Sequence, residues 1–189
     1  MSFVEKQPLR TFESDRLLLR PVKLSDAENM YAYAGRPENS YYVFPTNESV
    51  EQTRENIKQI FIKNPDGKYG IFLKEEDRLI GTIYLLNIDY KNRKAELSYV
   101  LNQDYEGHGY AIEAAQFIKK MLFEYMHFER LFARHTLDNY KSERLMDRLG
   151  LQKEGILRGE YLFHGSFVDL CYHGMTRGDY IKEIGKGHA

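Results

Sequence analysis

The stretch Glu96-Leu-Ser-Tyr-Val-Leu-Asn-Gln-Asp-Tyr-Glu-Gly107-His-Gly109-Tyr-Ala111-Ile-Glu-Ala-Ala constrains the fold of this chain more than any other. It reads as a strand that runs through a short glycine-bearing turn straight into a helix, so the side-chain period changes from 2 to 3.6 within a few residues. A helix N-terminus leaves its first amide N–H groups unpaired and carries about half a positive charge, so glycines in front of it let a phosphate approach the backbone closely. The turn is therefore an anion cradle, and a phosphate-bearing cofactor is the expected occupant.

Periodicity orders the rest of the chain around that unit. Arg16-Leu-Leu-Leu-Arg-Pro21 reads as a short strand, and Ser25-Asp-Ala-Glu28 opens a helix as a capping box that ends near Gly35. Ser49-Val-Glu-Gln52 starts a second helix carrying Ile57, Ile60 and Phe61, which Asn64-Pro65-Asp66-Gly67 stops. The segment Tyr41-Tyr42-Val43-Phe44-Pro45 between them reads as irregular. Strands over 69–74, 79–89 and 93–101 predict an antiparallel meander. A long helix over 109–126 follows, with Ala111, Ala114, Ala115, Ile118 and Leu122 inward, then a strand over 131–136. That strand–helix–strand unit is expected to be parallel and right-handed. A helix over 141–149 ending at Gly150, two strands joined near His164-Gly165-Ser166 and a last helical turn over 179–184 close the pattern. The expected fold is α/β (α+β): a central, mixed, mostly antiparallel twisted sheet of about seven strands flanked by about four helices, as one domain over 1–189.

Charge and cysteine use narrow the function. A net charge of −1 with no basic run disfavours nucleic acid and anionic membranes as partners. Met1-Ser-Phe-Val-Glu-Lys6 has no apolar stretch suited to a signal peptide, and no later segment has about 18 uninterrupted apolar residues, so the cytoplasm is the expected location. Cys171 is the only cysteine and reads as a buried, inert strand thiol. His127 and His135, eight apart across a helix–strand junction, read as structural or exposed, and no metal is expected.

The order of elements resembles the GNAT acyl-CoA N-acyltransferases over nearly the whole chain. That family's cofactor motif, Gln/Arg-x-x-Gly-x-Gly/Ala, is matched by Gly107-His108-Gly109 with Ala111 following, although Asp104 stands at the Gln/Arg position. A second pattern, Asn-x-x-Ser/Ala before an apolar helix, is matched by Asn139-Tyr-Lys-Ser142 and a helix ending in Leu149-Gly150-Leu151. Asp15-Arg-Leu-Leu-Leu-Arg-Pro21 and Glu154-Gly155-Ile-Leu-Arg158, with Gly165 and Asp169, resemble the Rim-type branch of ribosomal-protein N-terminal acetyltransferases.

The resemblance implies acetyl-CoA as cosubstrate, its pantetheine lying along Tyr99, Val100 and Leu101 as an extra pseudo-strand and its pyrophosphate on the amides of Gly107, His108, Gly109, Tyr110 and Ala111. Asn139 would orient the pantetheine arm. Acyl transfer needs an amine to lose its proton, a donor for the oxyanion and stabilisation of the leaving thiolate. Glu96 resembles a glutamate that serves as base in several members, directly or through water; it equally reads as a strand polar residue paired with a cross-strand Lys or Arg. Met146 occupies the place where many members carry a tyrosine acid, and Ser142 is the candidate in its stead. Asn139 or Ser142 could also simply cap their helix. Carboxylates at Asp104 and Glu106 lie near the expected pyrophosphate, and His108 reads as either a polar cofactor contact or a solvated turn residue.

The acceptor is expected to be an N-terminal α-amine. Its reference pKa of ~7.7–8.0, against ~10.4 for a lysine or polyamine, saves about 3 kcal/mol of deprotonation at pH 7, which suits a weak base. Tyr41–Phe44 with Tyr161 and Phe163 could wall a groove for it, although with 15 Tyr and 11 Phe in the chain these rings read more readily as core. Two other readings stand open. One is a small-amine acetyltransferase, suggested by Asp169 and an acidic Glu48, Glu51 and Glu55 face; the other is a silent acyl-CoA-binding module. A homodimer is the default expectation, through the C-terminal hairpin.

Overall fold

A computed structural model describes residues 11–186, so the expectation for Met1–Lys6 falls outside the described residues. Eight strands and six α-helices are described, where about seven and four were expected; the added strand is the two-residue β1, Phe12–Glu13. The chain forms two compact units, 11–85 with 98–117 and 86–97 with 118–186, here the N-terminal and C-terminal units.

In the N-terminal unit β1 pairs antiparallel with β2 (Leu17–Arg20), β2 with β3 (Lys68–Leu73) and β3 with β4 (Arg78–Asp89). β4 and β5 (Lys94–Leu101) are each divided between the units. Helix α1 (Ala27–Ala34) follows a 3₁₀ turn over Leu24–Asp26. Asp26, not Ser25, stands at the N-cap of α1, and its carboxylate reaches back over the 3₁₀ turn to accept from the Lys23 amide at 2.7 Å while pairing with both Arg20 guanidinium nitrogens at 2.9 and 3.0 Å. That double partnership keeps the carboxylate at Asp26 although it is buried, whereas Ser25 offers only a neutral hydroxyl.

Helix α2 is the single turn Pro37–Ser40. Helix α3 (Val50–Asn56) starts as predicted, with the Ser49 hydroxyl accepting from the Gln52 amide at 3.1 Å. It then widens into a π-turn over Ile57–Ile62, which buries Ile57 and Phe61 but turns Ile60 to solvent. Val22, Met30, Tyr33, Ile57, Phe61, Phe72, Leu79 and Val100 form this unit's core. Helix α4 (Tyr110–Lys120) also passes into a π-turn, Met121–Tyr125. Ala114, Ala115, Ile118 and Leu122 are buried as the period requires, whereas Ala111 in its first turn is half-buried.

In the C-terminal unit β5 runs parallel to β6 (Arg130–Thr136), as the crossover predicted, with Lys94↔Arg130, Ala95↔Leu131 and Glu96↔Phe132 as partners. β8 (Ser166–Thr176) is antiparallel to both β6 and β7 (Gln152–Phe163). Helix α5 (Tyr140–Leu149) ends at Gly150, whose φ of 85° is a left-handed cap, and α6 (Arg177–Lys186) is longer than the single turn expected. The ammonium of buried Lys119 donates to the Leu149 carbonyl at 2.9 Å and pairs with Glu183 at 2.7 Å, which satisfies a carbonyl that helix α5 leaves open. Among the described residues no helix is long and apolar enough to cross a membrane.

Candidate active site

The turn ahead of α4 has the backbone that its two glycines predict. Gly107 and Gly109 sit at φ of 80° and 81°, a region costly for other residues, and a side chain placed on Gly107 would meet only open space. The approach to the backbone there is clear, and α4 starts at Tyr110 with the Glu113 amide already bonded to the Gly109 carbonyl at 3.1 Å. The amides of Tyr110, Ala111 and Ile112 thus head an eleven-residue helix. Upstream, Asn102 caps a 3₁₀ turn over Gln103–Tyr105 by accepting from the Asp104 amide at 3.2 Å.

Cations come to the turn from elsewhere in the same unit. The Arg16 guanidinium donates to the His108 carbonyl at 3.0 Å, pairs with Glu113 and lies 4.8 Å from the centre of the Tyr110 ring. Ser14 holds the second oxygen of Glu113. His108 is exposed, its Nδ1 is 2.9 Å from the Glu106 carbonyl, and it stacks on Tyr110. Asp104 is not an unpaired repellent anion: one Arg36 nitrogen lies 2.9 Å from both of its oxygens. Neither arginine was legible as a site residue, because nothing local distinguishes Arg16 or Arg36 from other surface cations.

The described β5–β6 ladder covers Lys94 to Glu96 and ends before Tyr99–Leu101. Val100 and Leu101 are buried and Tyr99 is half-buried. Close approach of β4 is built in at this level: a side chain on Gly81 would fall 2.4 Å from the Val100 carbonyl, so only glycine fits there.

Glu96, Asn139 and Ser142 belong to the C-terminal unit. Glu96 is 5 % exposed, accepting from Arg134 Nε at 2.8 Å and from Asn87 Nδ2 at 2.7 Å. The cross-strand partner weighed from sequence is present, supplied by the neighbouring strand β6. Arg134 reaches on to the Tyr172 hydroxyl at 3.4 Å, and that hydroxyl donates to Glu160 at 3.2 Å. Of the two capping candidates it is Asn139 that caps: its side-chain oxygen accepts from the Ser142 amide at 3.2 Å. Ser142 lies half-buried in the first turn of α5, and Met146 is buried one turn later.

Two surface expectations change. Tyr41, Tyr42 and Val43 are exposed rather than core, Tyr41 and Tyr42 meeting edge to face at 4.8 Å, and only Phe44 packs inward. Tyr161 is exposed as well. Two of the three acidic residues of the Glu48, Glu51 and Glu55 face have cations on their own helix, Glu51 with Arg54 at 3.6 Å and Glu55 with Lys58 at 3.2 Å. Hydrogen bonds from Gln59 and then Lys58 hold Glu55 below the usual carboxylate range.

A third arrangement was not expected at all. His135, Cys171 and His173, all buried, place their ligating atoms within 4.8 Å of one another. Burial pushes the Cys171 thiol up, and burial followed by the His135 imidazole pushes His173 down. The eight-residue separation of His127 and His135 carried no signal because the partners of His135 lie on another strand.

Comparison with known proteins gives one consistent family. A family model described as an acetyltransferase (GNAT) domain matches residues 16–152. The uncharacterized N-acetyltransferase p20 of Bacillus licheniformis is 31% identical over 176 residues, covering 91% of this chain and 99% of that protein. The [ribosomal protein uS5]-alanine N-acetyltransferase of Escherichia coli is 27% identical, with coverages of 88% and 91%. A crystal structure of a GNAT-family acetyltransferase from Bacillus anthracis superposes with a TM-score of 0.80 at 25% identity, covering 89% of this chain and 99% of that one.

Proposed function

The chain belongs to the acetyltransferase (GNAT) family, and on that premise we propose that it moves an acetyl group from acetyl-CoA to the N-terminal α-amino group of a protein. The observation that carries the cofactor half is the turn at Gly107–Gly109. Two left-handed glycines clear the backbone, the first amides of α4 point out of the helix end, and Arg16 adds a cation beside them. The pyrophosphate is assigned to these amides and the pantetheine to Tyr99–Leu101. Asn139, whose oxygen caps α5, keeps its amide nitrogen to offer to the pantetheine carbonyls.

Direct attack in a ternary complex accounts for the chemistry. The neutral amine adds to the thioester carbonyl, the tetrahedral intermediate collapses, and the thiolate of CoA takes up a proton as it leaves. We assign Glu96 to receive the amine proton, through water, and Ser142 to donate to the departing sulfur. Both Glu96 oxygens already accept from Arg134 and Asn87, so an acceptor whose amine gives up its proton readily asks least of it. An α-amine fits that condition and a polyamine does not. Glu51 and Glu55 on α3 each already have a cation on their own helix, which leaves less negative charge there for a polyamine to seek. Similarity to the uS5-alanine N-acetyltransferase leads to the same acceptor class.

The test is acetyl-CoA calorimetry on wild type and Gly109→Trp, followed by release of free CoA thiol with Ala- or Ser-starting peptides and with spermidine. Binding lost in the variant together with peptide-dependent thiol release supports the reading. Release with spermidine alone replaces the acceptor, and wild-type protein that binds no acetyl-CoA overturns the turn's assignment.

A further inference from the structure

We infer that His135, Cys171 and His173 form a buried site for a thiophilic divalent cation, tested here as Zn²⁺, that is separate from acetyl transfer. His135 and Cys171 are direct cross-strand partners on β6 and β8, and His173 follows two residues later on the same face of β8. His135 Nε2 lies 3.3 Å from His173 Nε2, and His173 Nε2 lies 3.5 Å from Cys171 Sγ. Around a tetrahedral Zn²⁺, with Zn–N of ~2.0–2.1 Å and Zn–S of ~2.3 Å, the N–N and N–S edges come to about 3.3 and about 3.6 Å. Two edges of the ligand triangle therefore already have the lengths an ion would impose.

Proton bookkeeping points the same way. His135 Nδ1 lies 2.8 Å from the Thr136 carbonyl, which can only accept, so that nitrogen carries the proton and Nε2 presents a lone pair inward. If neutral His173 carries its proton on Nε2, it bonds to His135, but its Nδ1 lone pair then faces the Asp147 carboxylate at 3.8 Å with no donor. If it carries the proton on Nδ1, that N–H faces the carboxylate, but two bare Nε2 lone pairs then face each other at 3.3 Å beside the sulfur. The first tautomer leaves a buried lone pair facing a carboxylate, and the second leaves two imidazole lone pairs facing each other. A cation between the two Nε2 atoms and Sγ removes the conflict. The outer nitrogens then occupy the roles usual around bound metals, His135 donating to a backbone carbonyl and His173 facing a carboxylate. The three side chains supply three tetrahedral positions, and binding to the thiol releases one proton, Cys–SH and Zn²⁺ giving Cys–S–Zn⁺ and H⁺.

The experiment uses the full chain grown and refolded with Zn²⁺, then dialysed, with zinc counted per chain by mass spectrometry. Parallel refolding with Co²⁺ reads out sulfur ligation by its thiolate charge-transfer absorption. About one zinc per chain is expected, with a melting temperature that falls on chelation. Cys171→Ala should remove the Co²⁺–thiolate band, and Asp147→Asn should weaken Zn²⁺ about 10-fold or more. Zinc well below one per chain in wild type, no change of melting temperature on chelation, or equal zinc in folded Cys171→Ala would each overturn the site. None of these readouts depends on acetyl transfer, so failure here leaves the proposed function standing, and the reverse holds too.

Discussion

The Gly107–Gly109 turn and the two faces of strands β5, β6 and β8 are built in opposite ways. The turn is contiguous in sequence and made of backbone: two positive-φ glycines and the open end of α4, with side chains only at its margin. The strand faces are made of side chains brought together by register, Glu96 with Arg134 and Tyr172 on one side of the sheet, and His135 with Cys171 and His173 on the other. A backbone site tolerates change at most positions and fails at one or two, whereas a register-built site depends on every partner, because its buried polar groups are placed by one another.

Gly109→Trp should give the largest effect. A non-glycine residue at φ of 81° is strained by about 1–3 kcal/mol and its ring covers the helix end, so acetyl-CoA affinity should fall about 100-fold or more by calorimetry. An unchanged affinity would mean that the backbone turn is not the cofactor site. On the strand face, Arg134→Ala strips the buried Glu96 carboxylate of its cation. A loss of about 2–3 kcal/mol is expected, or roughly 5–10 °C in Tm, discounted because the guanidinium is partly exposed. Glu96→Gln separates the roles of that carboxylate: a fall in kcat with little change in Tm marks the base, whereas a fall in Tm at constant kcat marks a packing residue.

Smaller effects should follow at the margin of the turn. Arg16→Ala should weaken acetyl-CoA about 5-fold at low salt and less as salt rises, since one exposed cation contributes about 1 kcal/mol beside a phosphate. Arg36→Ala releases the Asp104 carboxylate and should weaken binding only about 2–3-fold, within the range of an exposed ion pair. If Arg36 proves as costly as Gly109, the turn is governed by side-chain charge and the contrast with the strand face fails.

Much of the fold was legible because its determinants are local. Alternation placed β3, β4, β5 and β6, and helical spacing placed the buried face of α4. Ser49 and Asn139 were readable as caps, and Gly150 as a stop, since each acts within one helical turn of itself. Errors came where a neighbour distant in sequence intervened. Arg20 recruits Asp26 as the cap of the first turn, and the π-turn that ends α3 places Ile60 in solvent. The exposed Tyr41–Tyr42 pair could not be told from core aromatics by composition, since burial depends on what packs above a ring.

The sequence by itself determined the glycine turn, the helix it opens and the family to which both point, because φ preferences and amide geometry act over a few bonds. Only the tertiary structure decided that Arg16 and Arg36 attend that turn, that Glu96 has Arg134, and that His135 meets Cys171 and His173. Alternation along a strand tells which face a side chain takes, but not which strand lies beside it or in what register. Those choices are made by the packing of the whole sheet, and buried charges and imidazoles find their partners through them.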